Sequence, residues 1–152
     1  MSDLHSLTPL QTEVDSLNPK KTRKGNKPHK FIFLLTLCRL IEKNPRRPNE
    51  FPFDDELIGT FRQVWSIFVQ DEVGLPEYPF YHLRTSKFWN HKIRNGKEDE
   101  YKQHQRFPPK RIREIIEYGY LEDKYFKLMR NEIKRKELVE SLKKKIQESV
   151  LK

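Results

Sequence analysis

Leu75-Pro76-Glu77-Tyr78-Pro79-Phe80-Tyr81-His82-Leu83, continued through Arg84-Thr85-Ser86 into Lys87-Phe88-Trp89-Asn90-His91-Lys92-Ile93, is the stretch on which the fold turns. Pro79, Tyr81 and Leu83 fall on one side and Tyr78, Phe80 and His82 on the other, which is the spacing of a β-strand. Arg84-Thr85-Ser86 then reads as the turn of a hairpin, without the Asn-Gly or Asp-Gly pair that marks the tightest turns. A proline cannot donate to a ladder, so Pro79 points to an edge strand or to a bulge at the strand's start. Tyr78 and Pro79 are then placed to face a ligand, while Phe80, Leu83 and Trp89 read as core.

Outward from this stretch, the 152 residues suffice for one ordinary domain and are too few for two. Only 35% of residues are apolar, but they are concentrated in blocks rich in aromatic rings. The 31 lysines and arginines exceed the 22 aspartates and glutamates for a net charge of +9, which asks for a polyanionic partner, nucleic acid first. The single cysteine, Cys38, sits in an apolar run and reads as a buried thiol with no disulfide partner. No stretch has the length of a membrane span, and the N-terminus lacks a signal-peptide layout, so a cytoplasmic protein without membrane contact is expected.

Along the chain, residues up to about 18 are polar and interrupted by Pro9. Lys20, Lys21, Arg23, Lys24, Lys27 and Lys30 then form a basic run without an acid. Phe31 to Ile41 is apolar at almost every position and long enough for a helix buried on most sides. Pro28 suits the start of that helix, which puts His29 and Lys30 in its first turn, where free backbone amides and the helix dipole favour an anion. Asp54, Asp55 and Glu56 open a second helix carrying Leu57, Phe61, Val64, Trp65 and Phe68, to which packing and no chemistry is assigned. Pro108 and Pro109 start a third, with Ile112, Ile115 and Ile116 inside it and Gly119 as its C-cap. From Asp123 onward the spacing predicts one long charged helix whose Leu138, Leu142, Ile146 and Val150 form a stripe for packing or self-association.

A catalytic set is not found. The sequence holds no Cys-x-x-Cys, no His-Glu-x-x-His and no glycine-rich phosphate loop, so no metal and no cofactor is expected. His82 and His91 could approach each other across a hairpin near Glu77, the one arrangement that would suit acid-base chemistry. Aromatic rings and prolines beside lysine and arginine instead compose a surface that meets a sugar-phosphate backbone and something less polar next to it.

Lys27-Pro28-His29-Lys30 running into an apolar helix, Pro76-Glu77-Tyr78-Pro79-Phe80 with a strand ending around Trp89, and Arg106-Phe107-Pro108-Pro109 opening a helix together resemble the DNA sulfur-binding domain of phosphorothioate-dependent HNH restriction endonucleases. The order and spacing of the blocks match over roughly residues 27 to 118. The charged C-terminal helix resembles the connector that in the family leads to the nuclease. The resemblance implies that Tyr78 and Pro79 floor a shallow apolar pocket for the sulfur, with His29 and Lys30 near the modified phosphate. It puts His82 where the family has a small residue, which implies a narrower or more polar pocket. The family also brings arginines from the segment after the hairpin, where this sequence offers Arg94, Lys97, Lys102, His104 and Arg106.

The expectation is therefore an α/β (α+β) fold in which a small antiparallel sheet or hairpin packs on several helices, with a long C-terminal helix. Residues 1–26 are expected to be a flexible basic arm, 27–121 a sulfur-binding-like DNA-binding domain and 122–152 the charged helix. The expected function is recognition of phosphorothioated duplex DNA, without enzymatic activity, in modification-dependent restriction. His29, Lys30, Tyr78, Pro79 and His82 are the candidate sulfur and DNA contacts, and Lys27, Arg84, Arg94, Lys102, His104 and Arg106 the candidate phosphate contacts. A separate nuclease subunit and a homodimer through the C-terminal helix are the candidate protein partners. The rival readings are a general DNA-binding protein without sulfur preference and an interaction module acting through residues 123–152. An HNH nuclease is disfavoured, because the histidine, asparagine and zinc-binding cysteines it needs are missing.

Overall fold

A computed structural model describes residues 20–22, 25–103 and 108–151. The central element is helix α1, His29–Lys43, in which every residue from Phe31 to Ile41 except Arg39 is buried. Such a helix needs walls on several sides. Helix α2, Asp55–Phe68, supplies one, with Leu57, Phe61, Val64 and Trp65 turned inward. The side chain of its N-cap residue Asp54 accepts from the Leu57 amide at 2.9 Å, as the acids at this position foretell.

The last two helices, α6 (Asp123–Arg130) and α7 (Glu132–Leu151), close another side of α1. The single long helix expected from Asp123 onward is thus two. Asn131 divides them: its side chain accepts from the Lys134 amide at 3.0 Å and starts α7. Arg135, 6% exposed, turns back to donate to the carbonyls of Met129 and Arg130 at the end of α6. Leu138, Leu142 and Ile146 lie in the common core, so the stripe packs within the chain as far as Ile146, and Val150 is exposed.

The hairpin expected from residue 75 to residue 93 does not form. Pro76 caps a short helix α3, Glu77–His82, which runs into a 3-10 turn over Leu83–Thr85. The two prolines decide this. Pro76 stands at the N-cap and Pro79 in the first turn, where the amide hydrogens a proline lacks have no helical partner in any case. Strand β3, Trp89–Ile93, pairs with β4, Ile116–Leu121, with Trp89 opposite Leu121 and His91 opposite Gly119. The third helix expected from Pro108 is therefore short, α5 at Pro109–Ile115, and Gly119 is a strand residue, not a C-cap. Upstream, β1 (Lys20–Thr22) and β2 (Gly25–Lys27) pair antiparallel. Between β3 and α5 lies α4, Glu98–Gln103.

The outer edge of β4 is braced by the loop that follows α1. Phe51 and Gly119 exchange backbone hydrogen bonds of 2.8 and 3.0 Å, and the Asn49 side chain both donates to the carbonyl and accepts from the amide of Leu121. The fold is α+β, with the sheet held against the α1 core by the rings of Phe33, Phe51, Phe80 and Trp89.

Candidate sulfur and phosphate interface

Phe80 fixes the orientation of α3. Its buried ring lies 5.0 Å from Phe53, 5.6 Å from Trp89 and 5.4 Å from His91. Residues two apart on a helix point to nearly opposite sides, so anchoring Phe80 turns Tyr78 outward, and it is 47% exposed. His82 lies one turn on from Tyr78, on the same face, and the rings stack at 6.1 Å with 13° between their planes.

His29, the first residue of α1, comes to the same place from another direction. Its ring is 6.0 Å from Tyr78 and 4.6 Å from Trp65. Trp65 is itself fixed: the indole donates to the Glu72 carbonyl at 2.9 Å, and the loop passes so close above it that a Cβ on Gly74 would be 2.7 Å from the ring. The result is a row of rings, Trp65, His29, Tyr78 and His82, with Lys30 next along α1 and Pro79, adjacent to Tyr78 in α3, buried. The structure thus brings His29, Tyr78 and His82 together, although through a helix rather than a strand, and turns Pro79, expected to face a ligand, into the interior. Trp65, assigned packing alone, backs the site; nothing in its local sequence distinguishes it from the other core residues of α2.

Next to His82 on α3, Tyr81 is buried, and the Arg84 guanidinium lies 4.2 Å above its ring and donates to its hydroxyl at 2.9 Å. His91 is bonded through both nitrogens, at 2.7 Å to the Phe80 carbonyl and 2.8 Å to the Tyr101 hydroxyl. A carbonyl only accepts, so Nε2 carries the hydrogen and Nδ1 accepts from the phenol. Burial lowers the His91 pKa to about 4, against the smaller opposing effect of the Phe80 bond. His91 is therefore neutral and structural at pH 7, and it does not pair with His82 as an acid-base couple.

The remaining candidates are dispersed. Lys27 ends β2, paired with Lys20, just before α1. Lys102 is exposed in the last turn of α4. Arg94 lies away from the ring row: its Nε donates to the Arg113 carbonyl, and it lines a hollow shared with Asp54, Asp55 and Glu117. Those carboxylates make that hollow a poor place for a phosphate. His104 and Arg106 lie outside the described residues. Among the described residues no group of three histidines, cysteines or acids could hold a metal ion, and no helix is long and apolar enough to cross a membrane.

Residues 8–151 match the family model described as the ScoMcrA-like DNA sulfur-binding domain. The chain belongs to this family. The match takes in α7 as well as the ring row, so the sulfur-binding domain here includes the C-terminal helix that packs on α1. No curated protein matches the chain.

Proposed function

We propose that this sulfur-binding domain reads a phosphorothioate in duplex DNA with the face formed by His29, Tyr78 and His82, and that Lys30 and Arg84 hold phosphates around it. The observation that carries the reading is the half-exposed Tyr78 ring, turned outward by the buried Phe80 and bracketed by two histidines beside a cationic helix start. Sulfur in place of a non-bridging oxygen is larger, more polarisable and a weaker hydrogen-bond acceptor. Against a tyrosine face it gains dispersion contacts, whereas an oxygen there would lose hydration without an equal return. Preference then comes from disfavouring oxygen as well as from accommodating sulfur. The surrounding cations add affinity that is indifferent to sequence and falls with salt.

His82, stacked on Tyr78, forms one wall and makes the opening a slot rather than a dish. The domain acts as a reader in modification-dependent restriction. Self-association through α7 is not part of this reading, because Leu138, Leu142 and Ile146 are occupied in the core.

The test is a pair of binding titrations at matched salt, with a duplex carrying one phosphorothioate of defined stereochemistry and the same duplex without it. A preference of about tenfold, equal to 1.4 kcal/mol, is expected for the sulfur-bearing duplex. Equal affinities would leave a DNA-binding domain without sulfur preference and would point to His82 as the obstruction.

A further inference from the structure

We infer that the hollow beside Arg84 is a second backbone site, which takes another phosphate of the duplex whose sulfur lies against Tyr78; this rests on the reading of Tyr78 just given. The hollow, about 430 Å³, is lined by Arg84, Thr85, Asn90, His91, Tyr101 and Tyr120 among others. Its polar groups are a guanidinium, a hydroxyl, a carboxamide, two phenols, an imidazole and an indole, with no carboxylate on its wall. This differs from the hollow by Arg94 and Arg113, where three acids face the space.

Arg84 also lacks the ion pair that several other arginines make. Arg39, Arg47, Arg111 and Arg113 each lie within 4 Å of an acid, whereas among the described residues none lies that close to Arg84. Its positive charge is therefore not neutralised within the fold.

Hydrogen bonds and ring packing together hold that charge in place. The Phe80 carbonyl accepts from His91 Nε2, and His91 Nδ1 accepts from the Tyr101 hydroxyl. This commits the Tyr101 hydrogen to His91, and the Tyr101 ring packs 6.3 Å from that of Tyr81, whose hydroxyl accepts from Arg84. A guanidinium fixed in this way loses little side-chain freedom on meeting a phosphate, and its remaining donors suit a two-pronged contact.

The hollow is close enough to the sulfur face to touch the same DNA. Arg84 lies 4.2 Å from the Tyr81 ring centre, Tyr81 is 5.2 Å from His82, and His82 is 6.1 Å from Tyr78. At about 3.4 Å of helix rise per nucleotide on one strand, that reach covers only a few phosphates. The inferred ligand is accordingly a phosphate within a few nucleotides of the sulfur and not a distant part of the duplex.

The experiment is a chemical double-mutant cycle on the phosphorothioate duplex. One phosphate at a time, up to three positions either side of the sulfur and on both strands, is replaced by an uncharged methylphosphonate. Wild type and Arg84→Gln are titrated against each duplex. At one position the replacement is expected to weaken wild-type binding about tenfold and Arg84→Gln by no more than about twofold. Equal losses for both proteins at every position would overturn the second site while leaving the sulfur preference of the wild type to support Tyr78. Absence of that preference in the wild type would overturn both.

Retained sulfur preference in Arg84→Gln certifies its fold. If that variant loses the preference, Arg84→Lys, which keeps the charge but not the fork, repeats the cycle, and at least threefold of the coupling is expected to vanish, on the order of 0.7 kcal/mol. Binding of inorganic phosphate that Arg84→Gln abolishes, together with a flat methylphosphonate scan, would assign the hollow to a free anion instead and overturn the inference.

Discussion

The Trp89 indole occupies the space where a side chain on Gly119 would have to be. The two residues are on paired strands, and Trp89 is fully buried, with its ring nitrogen donating to the Phe80 carbonyl at 2.8 Å. One methyl group on residue 119 would push the indole off that carbonyl and disturb the anchor of α3. Gly119→Ala is expected to destabilise the domain by about 1–3 kcal/mol, as overpacking of a filled core does. Urea denaturation reads this directly, and an unchanged midpoint would mean that the indole has room to move.

His91 makes stability depend on pH in a defined window. Its pKa is about 4 in the folded protein, against an ordinary value of 6.5. Between those values the unfolded chain binds a proton that the folded one refuses, so stability falls as pH falls. The full contribution is present above pH 6.5 and declines on the way down to about pH 4, at no more than about 1.4 kcal/mol per pH unit. Because carboxylates also titrate near the bottom of this range, the measurement is the difference between wild type and His91→Gln across it. A difference that stays flat from pH 7 to pH 4.5 would contradict the assignment.

Asn49 imitates a strand partner for Leu121, giving it one donor and one acceptor from a single carboxamide. Replacement by alanine leaves a backbone amide and carbonyl unmatched at a half-buried edge. Asn49→Ala is expected to cost about 1–3 kcal/mol, with faster amide exchange at Leu121 as its local signature. Asn49→Asp keeps the acceptor and loses the donor, and it is expected to fall between the two.

At the ring row, Tyr78→Ala and Pro79→Gly are expected to lose the preference for sulfur-bearing DNA, whereas Lys30→Ala weakens binding to both duplexes. The lysine change is also expected to lower the slope of log affinity against log salt by about 1, as loss of one phosphate contact does. Three variants with the same loss on both duplexes would remove Tyr78 from the sulfur contact and the buried Pro79 from its support.

What could be read in the sequence was local and repeated. The almost wholly apolar run from Phe31 to Ile41, the acids at the start of α2 and the position of Pro28 led to two helices that the structure contains, with His29 and Lys30 in the first turn of one. Helix α3 was obscured because six residues make fewer than two turns, too few to distinguish a period of 3.6 from one of 2. Prolines at the N-cap and in the first turn, with Glu77 between them, were the available sign of a helix start. Strand β4 was hidden for a different reason: its partner is over twenty residues upstream, and Gly119 reads as a helix stop unless Trp89 is known to lie against it. Only resemblance put His29 and Tyr78 in one site, and nothing put Trp65 there, since the meeting of the three depends on tertiary packing that no spacing announces.

Cys38 lies on α1, fully buried, and burial pushes its thiol up to about 12. In the closed protein such a thiol neither ionises near neutral pH nor meets a reagent. Its rate of alkylation is therefore a clock for the opening of the core, carried by the same helix whose first turn holds His29 and Lys30. Any duplex that binds the native form alone must slow that clock in proportion to its occupancy, without a label having been added to the protein.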